Sequence, residues 1–122
     1  MKQILTRSAL VLALGAFIST PFLSGSAEAE SKTLTGEVVD LMCYVPNGAK
    51  GDGHKGCAEK CIKSGGPVGL LVDDQIYLVV GDHEPANALL ASKAAQKITV
   101  TGKVSERSGI KMISNIKITK EG

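Results

Sequence analysis

The last part of the chain, residues 97–118, carries the pattern that most constrains the fold. Apolar and polar side chains alternate from residue 97 to residue 105, and a turn at Arg107-Ser108-Gly109 separates this run from a second apolar one. A period of two places one face of a strand in a core and the other in solvent. Two such runs joined by a short glycine-containing turn predict an antiparallel hairpin. In the second run we expect the inward positions to share one parity, at Ile110, Met112, Ile116 and Ile118.

The rest of the chain predicts a mainly β fold with short helices. The predicted strands span residues 33–41, 68–73 and 75–80, and the predicted helices span residues 55–64 and 85–95. With the closing hairpin this gives five strands and a helix between strands 3 and 4, which is the order of a five-stranded OB-fold-like barrel. A loop-helix insert, residues 43–64, separates strands 1 and 2. The predicted core comprises Val38, Leu70, Leu71, Val79, Val100 and Ile116.

The first 29 residues have the layout of a secretory signal peptide. Lys2 and Arg7 precede an apolar run from Ala9 to Ile18, and Ala27-Glu28-Ala29 supplies the small residues of a cleavage site. The apolar run falls short of the roughly 20 residues that a membrane-spanning helix needs. We therefore predict cleavage after Ala29 and no stable membrane insertion. Residues 30–122 would then fold as a single domain in the periplasm or outside the cell.

Charge and aromatic content argue against a nucleic-acid partner. The chain has 14 Lys plus Arg and 12 Asp plus Glu, and removal of Lys2, Arg7 and Glu28 with the signal leaves 12 and 11. Such a balance provides no strong attraction to phosphates. Only Tyr44 and Tyr77 remain as aromatic residues in the predicted domain, which is too few for a base-stacking platform. We expect single-stranded DNA to bind weakly or not at all.

Cysteine and histidine residues concentrate in the insert. Cys43 is followed by His54, Cys57 and Cys61 within 19 residues. A helix reaching back to His54 would place His54, Cys57 and Cys61 on one face, since residues three and four apart are neighbours on a helix. Cys43, at the end of the first strand, would face them. Three thiolates and an imidazole form a ligand set that suits Zn²⁺ or Cu(I).

Two other interpretations of these cysteines stay open. One disulfide would join Cys43 to Cys57 or Cys61 and brace a small envelope domain that binds another protein or a ligand. A bond between Cys57 and Cys61 would be strained within one regular helix and therefore reducible, which would indicate a thiol redox protein. We expect no substrate turnover in the metal interpretation. Glu59 is the only nearby general base, and its position on the helix differs from that of the ligands. His83 we predict to be an exposed loop residue.

Two stretches of the chain resemble known groups. The segment TVTGKVSERSGIKMISNIKI, residues 99–118, resembles the closing hairpin of bacterial periplasmic OB-fold proteins. Most of residues 35–72 resembles a group of small secreted bacterial proteins of uncharacterised function, which implies a site but no particular activity. The shared elements are Gly36–Asp40, Cys43-Tyr44, His54, Cys57–Cys61 and Gly66–Leu71.

The spacing of Cys57 and Cys61 also looks like that of the copper-binding loops in respiratory oxidases and their assembly factors. In the oxidase loop a His and a Met follow soon after the second Cys, and residues 62–71 contain neither. This argues against a binuclear copper centre. The Cys-x₂-Cys-His motif of covalent c-type haem is absent as well.

Overall fold

The computed structural model describes residues 29–122. All but the last residue of the predicted signal peptide therefore lies outside the described part of the chain. Within that part, no helix has the length and apolar character needed to cross a bilayer.

The described residues form five strands and three short helices. The strands are β1 (Glu30–Asp40), β2 (Val68–Val72), β3 (Gln75–Val80), β4 (Lys97–Arg107) and β5 (Ile110–Glu121). The helices are α1 (Leu41–Asn47), α2 (Lys55–Lys63) and α3 (Asn87–Leu90). Short 3-10 turns at Asp52–His54 and Ala91–Lys93 lead into α2 and continue α3, respectively. The prediction of a mainly β fold with short helices is confirmed.

All five strands belong to one sheet that closes into a ring in the order β1-β2-β3-β5-β4. Every neighbouring pair is antiparallel except β3 and β5, which run parallel. Two hairpin turns make this order possible. Asp73-Asp74 joins β2 to β3, and Ser108-Gly109 joins β4 to β5. Ser108 and Gly109 both have positive φ, 52° and 81°, as a two-residue turn of type I′ requires.

The boundary between β3 and β5 is the shortest in the ring. It consists of three residue pairs, from Leu78↔Met112 to Val80↔Ser114, whereas β4 and β5 share nine. A cavity of about 720 Å³ opens at this boundary, and Leu78, Val80 and Met112 form part of its wall. The tight turn after β3 also lines the cavity, with Gly81 N–H donating to the Glu84 carbonyl at 2.7 Å.

The prediction of which residues face the core is wrong for the first half of β5. Ile113 is fully buried and Ile110 is 64% exposed, the opposite of the expected pattern. Between Thr101 and Lys103 on β4, the partner on β5 changes from Lys117 to Ser114, so β5 holds one extra residue there. Asn115 has φ 52° within this irregularity. An extra residue in one strand reverses which side chains face inward on either side of it.

The core fills the ring and extends beneath the helices. Of the six predicted core residues five are buried, and Ile116 is partly buried against the core cluster. The predicted helix over residues 85–95 is shorter in the structure, because α3 ends at Leu90 and a 3-10 turn follows it. Leu90, Ala91 and Ala94 are nevertheless buried. They pack in the same cluster as Ala58 and Ile62 of α2.

Candidate metal centre

The cysteine and histidine residues lie on a segment that leaves and re-enters the ring at one point. Asp40, the last residue of β1, pairs with Val68, the first residue of β2. The Leu41 N–H donates to the Pro67 carbonyl at 3.0 Å, so the first and last residues of this segment are hydrogen-bonded to each other. Residues 41–67 therefore lie between two adjacent strands, where the sequence predicted an insert over residues 43–64. Its base is held by the sheet.

Cys43 lies in a helix that sequence reasoning missed. We predicted a strand continuing to residue 41 with Cys43 at its end, but β1 stops at Asp40 and Cys43 belongs to the first turn of α1. Asp40 is the N-cap, and its Oδ1 accepts a hydrogen bond from the Met42 N–H at 3.0 Å. Gly48 ends the helix with φ 67°. An Asp eight residues before a Gly is a helix-boundary signal, but Pro46 within so short a segment obscured it.

His54, Cys57 and Cys61 are positioned by α2 and the turn before it. His54 is the N-cap of α2 and ends the 3-10 turn, so it lies just before the helix whose face it was predicted to share. Ala58 and Ile62 form the buried row of α2. Cys57 and Cys61 occupy the neighbouring row one residue earlier, where Cys61 is partly buried and Cys57 is exposed.

The donor atoms of these segments converge in two overlapping groups. In the first, donor atoms of Cys43, His54 and Cys57 all lie within 4.8 Å of one another. In the second, the same holds for Asp40, Cys43 and Cys61. Cys43 is common to both groups, so the four residues predicted as ligands come together around it. A tetrahedral zinc ion with bonds of about 2.0–2.3 Å holds its donors at separations that lie within this limit.

Asp40 is the member of this site that the sequence analysis did not identify. Its side chain is fully buried, and its Oδ2 lies 3.2 Å from Nε2 of His54. Its other oxygen, Oδ1, accepts the Met42 N–H described above. The carboxylate thus caps α1 and holds the imidazole at the same time. The available signal was an acidic residue at the end of an apolar strand, where burial requires hydrogen-bond partners.

The surroundings of the Cys43 and Cys61 thiols favour their protonated form when no metal is bound. Partial burial raises the pKa of Cys43 from 9.0 to about 11, and a hydrogen bond to the Asp40 carboxylate and its negative charge add to the effect. Burial and the Asp40 charge also raise the pKa of Cys61. A reactive redox cysteine needs a lowered pKa, because the thiolate is the nucleophile. These two thiols therefore lack the environment of a redox nucleophile.

The other polar residues considered from the sequence lie outside the donor cluster. The Glu59 carboxylate accepts a hydrogen bond from Lys63 at 2.5 Å, and this contact lowers the pKa of Glu59. The His83 side chain is 99% exposed, as predicted for a loop residue. All three cysteines lie in the described part of the chain, and none of them is paired in a disulfide.

Compared with known proteins, the chain matches no family model, no curated protein and no solved structure.

Proposed function

We propose that this protein binds a soft metal ion, Zn²⁺ or Cu(I), through Cys43, His54, Cys57 and Cys61, and carries, senses or is stabilised by that ion. The observation that carries the proposal is the convergence of donors from α1, the 3-10 turn and α2 on Cys43. Sulfur and imidazole nitrogen are the ligands that both ions accept in proteins. On binding, each thiol would release its proton to solvent and bond to the ion as a thiolate.

The proposed setting is the periplasm or the exterior of the cell, and it rests on the predicted signal peptide. Thiols in an oxidising compartment are lost to disulfides unless something protects them, and bound metal would provide that protection. The proposed scaffold is an OB-like fold. The strand order around the ring and the position of α3 between β3 and β4 support it.

Metal titration of the reduced protein tests the proposal. We expect one Zn²⁺ or one Cu(I) per chain, with tight binding lost in Cys57→Ser and in Cys61→Ser. His83→Ala is the matched control, since this histidine is exposed and remote from the cluster. It should bind as the unmodified chain does.

The disulfide-braced envelope domain is the alternative outcome of the same experiment. Protein isolated from the periplasm without reductant would then be metal-free, and its intact mass would be lower by two hydrogens. Such a result would overturn the metal proposal.

A further inference from the structure

Asp40 places a negative charge inside the donor cluster. The residue is 1% exposed, and its side chain is fully buried. Among residues 29–122, His54 is the one basic side chain within ion-pair distance of Asp40, and no lysine or arginine lies that close. A buried carboxylate is costly unless hydrogen bonds or an opposite charge compensate it. The Met42 N–H, His54 and the Cys43 thiol provide hydrogen bonds, but none of them supplies the permanent positive charge of a lysine or arginine.

We propose that Asp40 determines which metal the site prefers. It holds His54 through Nε2, leaves Nδ1 as the ligand atom, and favours a divalent ion of the zinc class over Cu(I). This inference rests on the proposed function, because it concerns the same four ligands.

The first step concerns the orientation of His54. In a neutral imidazole one ring nitrogen carries the proton and the other can bind an ion. A carboxylate oxygen 3.2 Å from Nε2 favours the form in which Nε2–H donates to Asp40. The lone pair is then on Nδ1. Hydrogen bonds of this kind commonly fix the ring of a metal-binding histidine and increase its basicity.

The second step concerns charge. Three thiolates and the Asp40 carboxylate would together carry four negative charges. A divalent ion offsets two of them and Cu(I) offsets one, so a buried extra anion stabilises the divalent complex more. The ligand types act in the same direction. Thiolates alone satisfy Cu(I), whereas imidazole is a customary ligand of Zn²⁺, and Asp40 is the residue that holds the imidazole in place.

Asp40→Asn tests the charge while it preserves the helix. Asparagine caps helices as well as aspartate does, so α1 should remain folded. We expect the Kd for Zn²⁺ to rise about 10- to 100-fold, as for other residues that orient a metal-binding histidine, and the Kd for Cu(I) to rise much less. Asp52→Asn is the control, because Asp52 is acidic and exposed in the turn before His54. It should leave the ratio of the two affinities unchanged.

A second measurement uses the unmodified chain and does not depend on the variant folding. ¹¹³Cd²⁺ serves as a divalent probe for thiolate and imidazole ligands, with the histidines labelled with ¹⁵N. We expect one-bond coupling between cadmium and Nδ1 of His54, while Nε2 keeps its proton. Coupling to Nε2 would overturn the proposed role of Asp40, and so would equal losses of Zn²⁺ and Cu(I) affinity in Asp40→Asn. Neither result would contradict the proposed metal site itself. An unmodified chain that binds neither ion would overturn the proposed function itself.

Discussion

At the scale of single residues, Asp40 connects the sheet to the site. Its position as the last residue of β1 places the carboxylate under the insert. One oxygen caps α1 and the other holds His54. Burial raises the pKa values of Cys43 and Cys61, and the same carboxylate adds to the increase. One buried side chain thus caps the local helix, holds the imidazole and contributes to the protonation of two thiols.

The raised pKa of Cys43 predicts a loss of stability at alkaline pH in the reduced, metal-free protein. The folded state holds this proton more tightly than the unfolded chain does, with a pKa of about 11 against 9.0. The stabilising contribution is therefore complete below about pH 9 and is lost as the pH rises through about 11. Denaturant unfolding over this range should show a steeper fall in the free energy of unfolding for the unmodified chain than for Cys43→Ser. Parallel curves would contradict the prediction.

The sequence could identify the four predicted ligands but not Asp40. Cys57 and Cys61 reveal themselves through helical spacing, and His54 and Cys43 through residue type and proximity along the chain. Asp40 gains its role from a contact with His54, 14 positions away in sequence, and from complete burial. Its position at the end of an apolar strand was a signal of burial, but the contact with His54 has no local pattern in the sequence.

At the scale of elements, β5 is shaped by an irregularity in its pairing with β4. The extra residue near Asn115 allows Ile113 to face inward in the first half of the strand, while Ile116 and Ile118 pack against the core in the second half. The alternation of apolar and polar residues predicted the hairpin correctly. It wrongly predicted which residues face inward in the first half of β5. A bulge depends on how two strands meet, and the isolated sequence of one strand does not specify it.

Two substitutions in β5 test this assignment. Ile113→Ala should lower the free energy of unfolding by about 2–5 kcal/mol, because it leaves a cavity where a fully buried side chain stood. Ile110→Ala should change it by less than about 0.5 kcal/mol, since Ile110 is mostly exposed. Chemical denaturation measures both. A larger loss of stability in Ile110→Ala than in Ile113→Ala would mean that Ile110 faces the core, as the sequence predicted.

The end of α2 is tied to the start of α3 by one side chain. The Asn87 amide donates at 2.7 Å to the carbonyl of Ile62, near the end of α2, and at 2.7 Å to the carbonyl of Gly66, in the turn beyond it. Asn87→Ala should therefore cost about 1–3 kcal/mol, and hydrogen exchange should show faster opening of residues 60–66. Gln96→Ala is the comparison. Gln96 makes one exposed bond to the Ser92 carbonyl, and its loss should cost less than about 1 kcal/mol.

At the scale of the whole molecule, the ring has boundaries of very unequal length. The order of the five strands, α2 and α3 along the chain could be predicted, because each of them has a local pattern bounded by turn residues, whereas α1 was missed. A closed sheet was expected from this order, but the parallel contact of only three residue pairs that closes it has no signal in the sequence, since it joins strands that share no turn. That short contact also lies beside the cavity, where there is less packing to support it.

We expect the ring to open first between β3 and β5. Amides that donate across this boundary should exchange with solvent faster than those between β1 and β4, where eight residue pairs run without interruption. Native-state hydrogen exchange resolved by residue measures the difference. Equal protection at the two boundaries would mean that the sheet opens only by global unfolding.

The insert begins and ends next to the paired residues Asp40 and Val68. Its two ends are therefore as close together as the ends of a hairpin turn, and it could be transferred to another protein as a unit. Another antiparallel strand pair could in principle receive residues 41–67 in place of its own hairpin turn, with no change in strand connectivity. The host protein would have to meet two requirements. The host must provide an acidic residue at the junction to do what Asp40 does. It must also offer an apolar recess for Ala58 and Ile62, which here complete the packing of the parent domain.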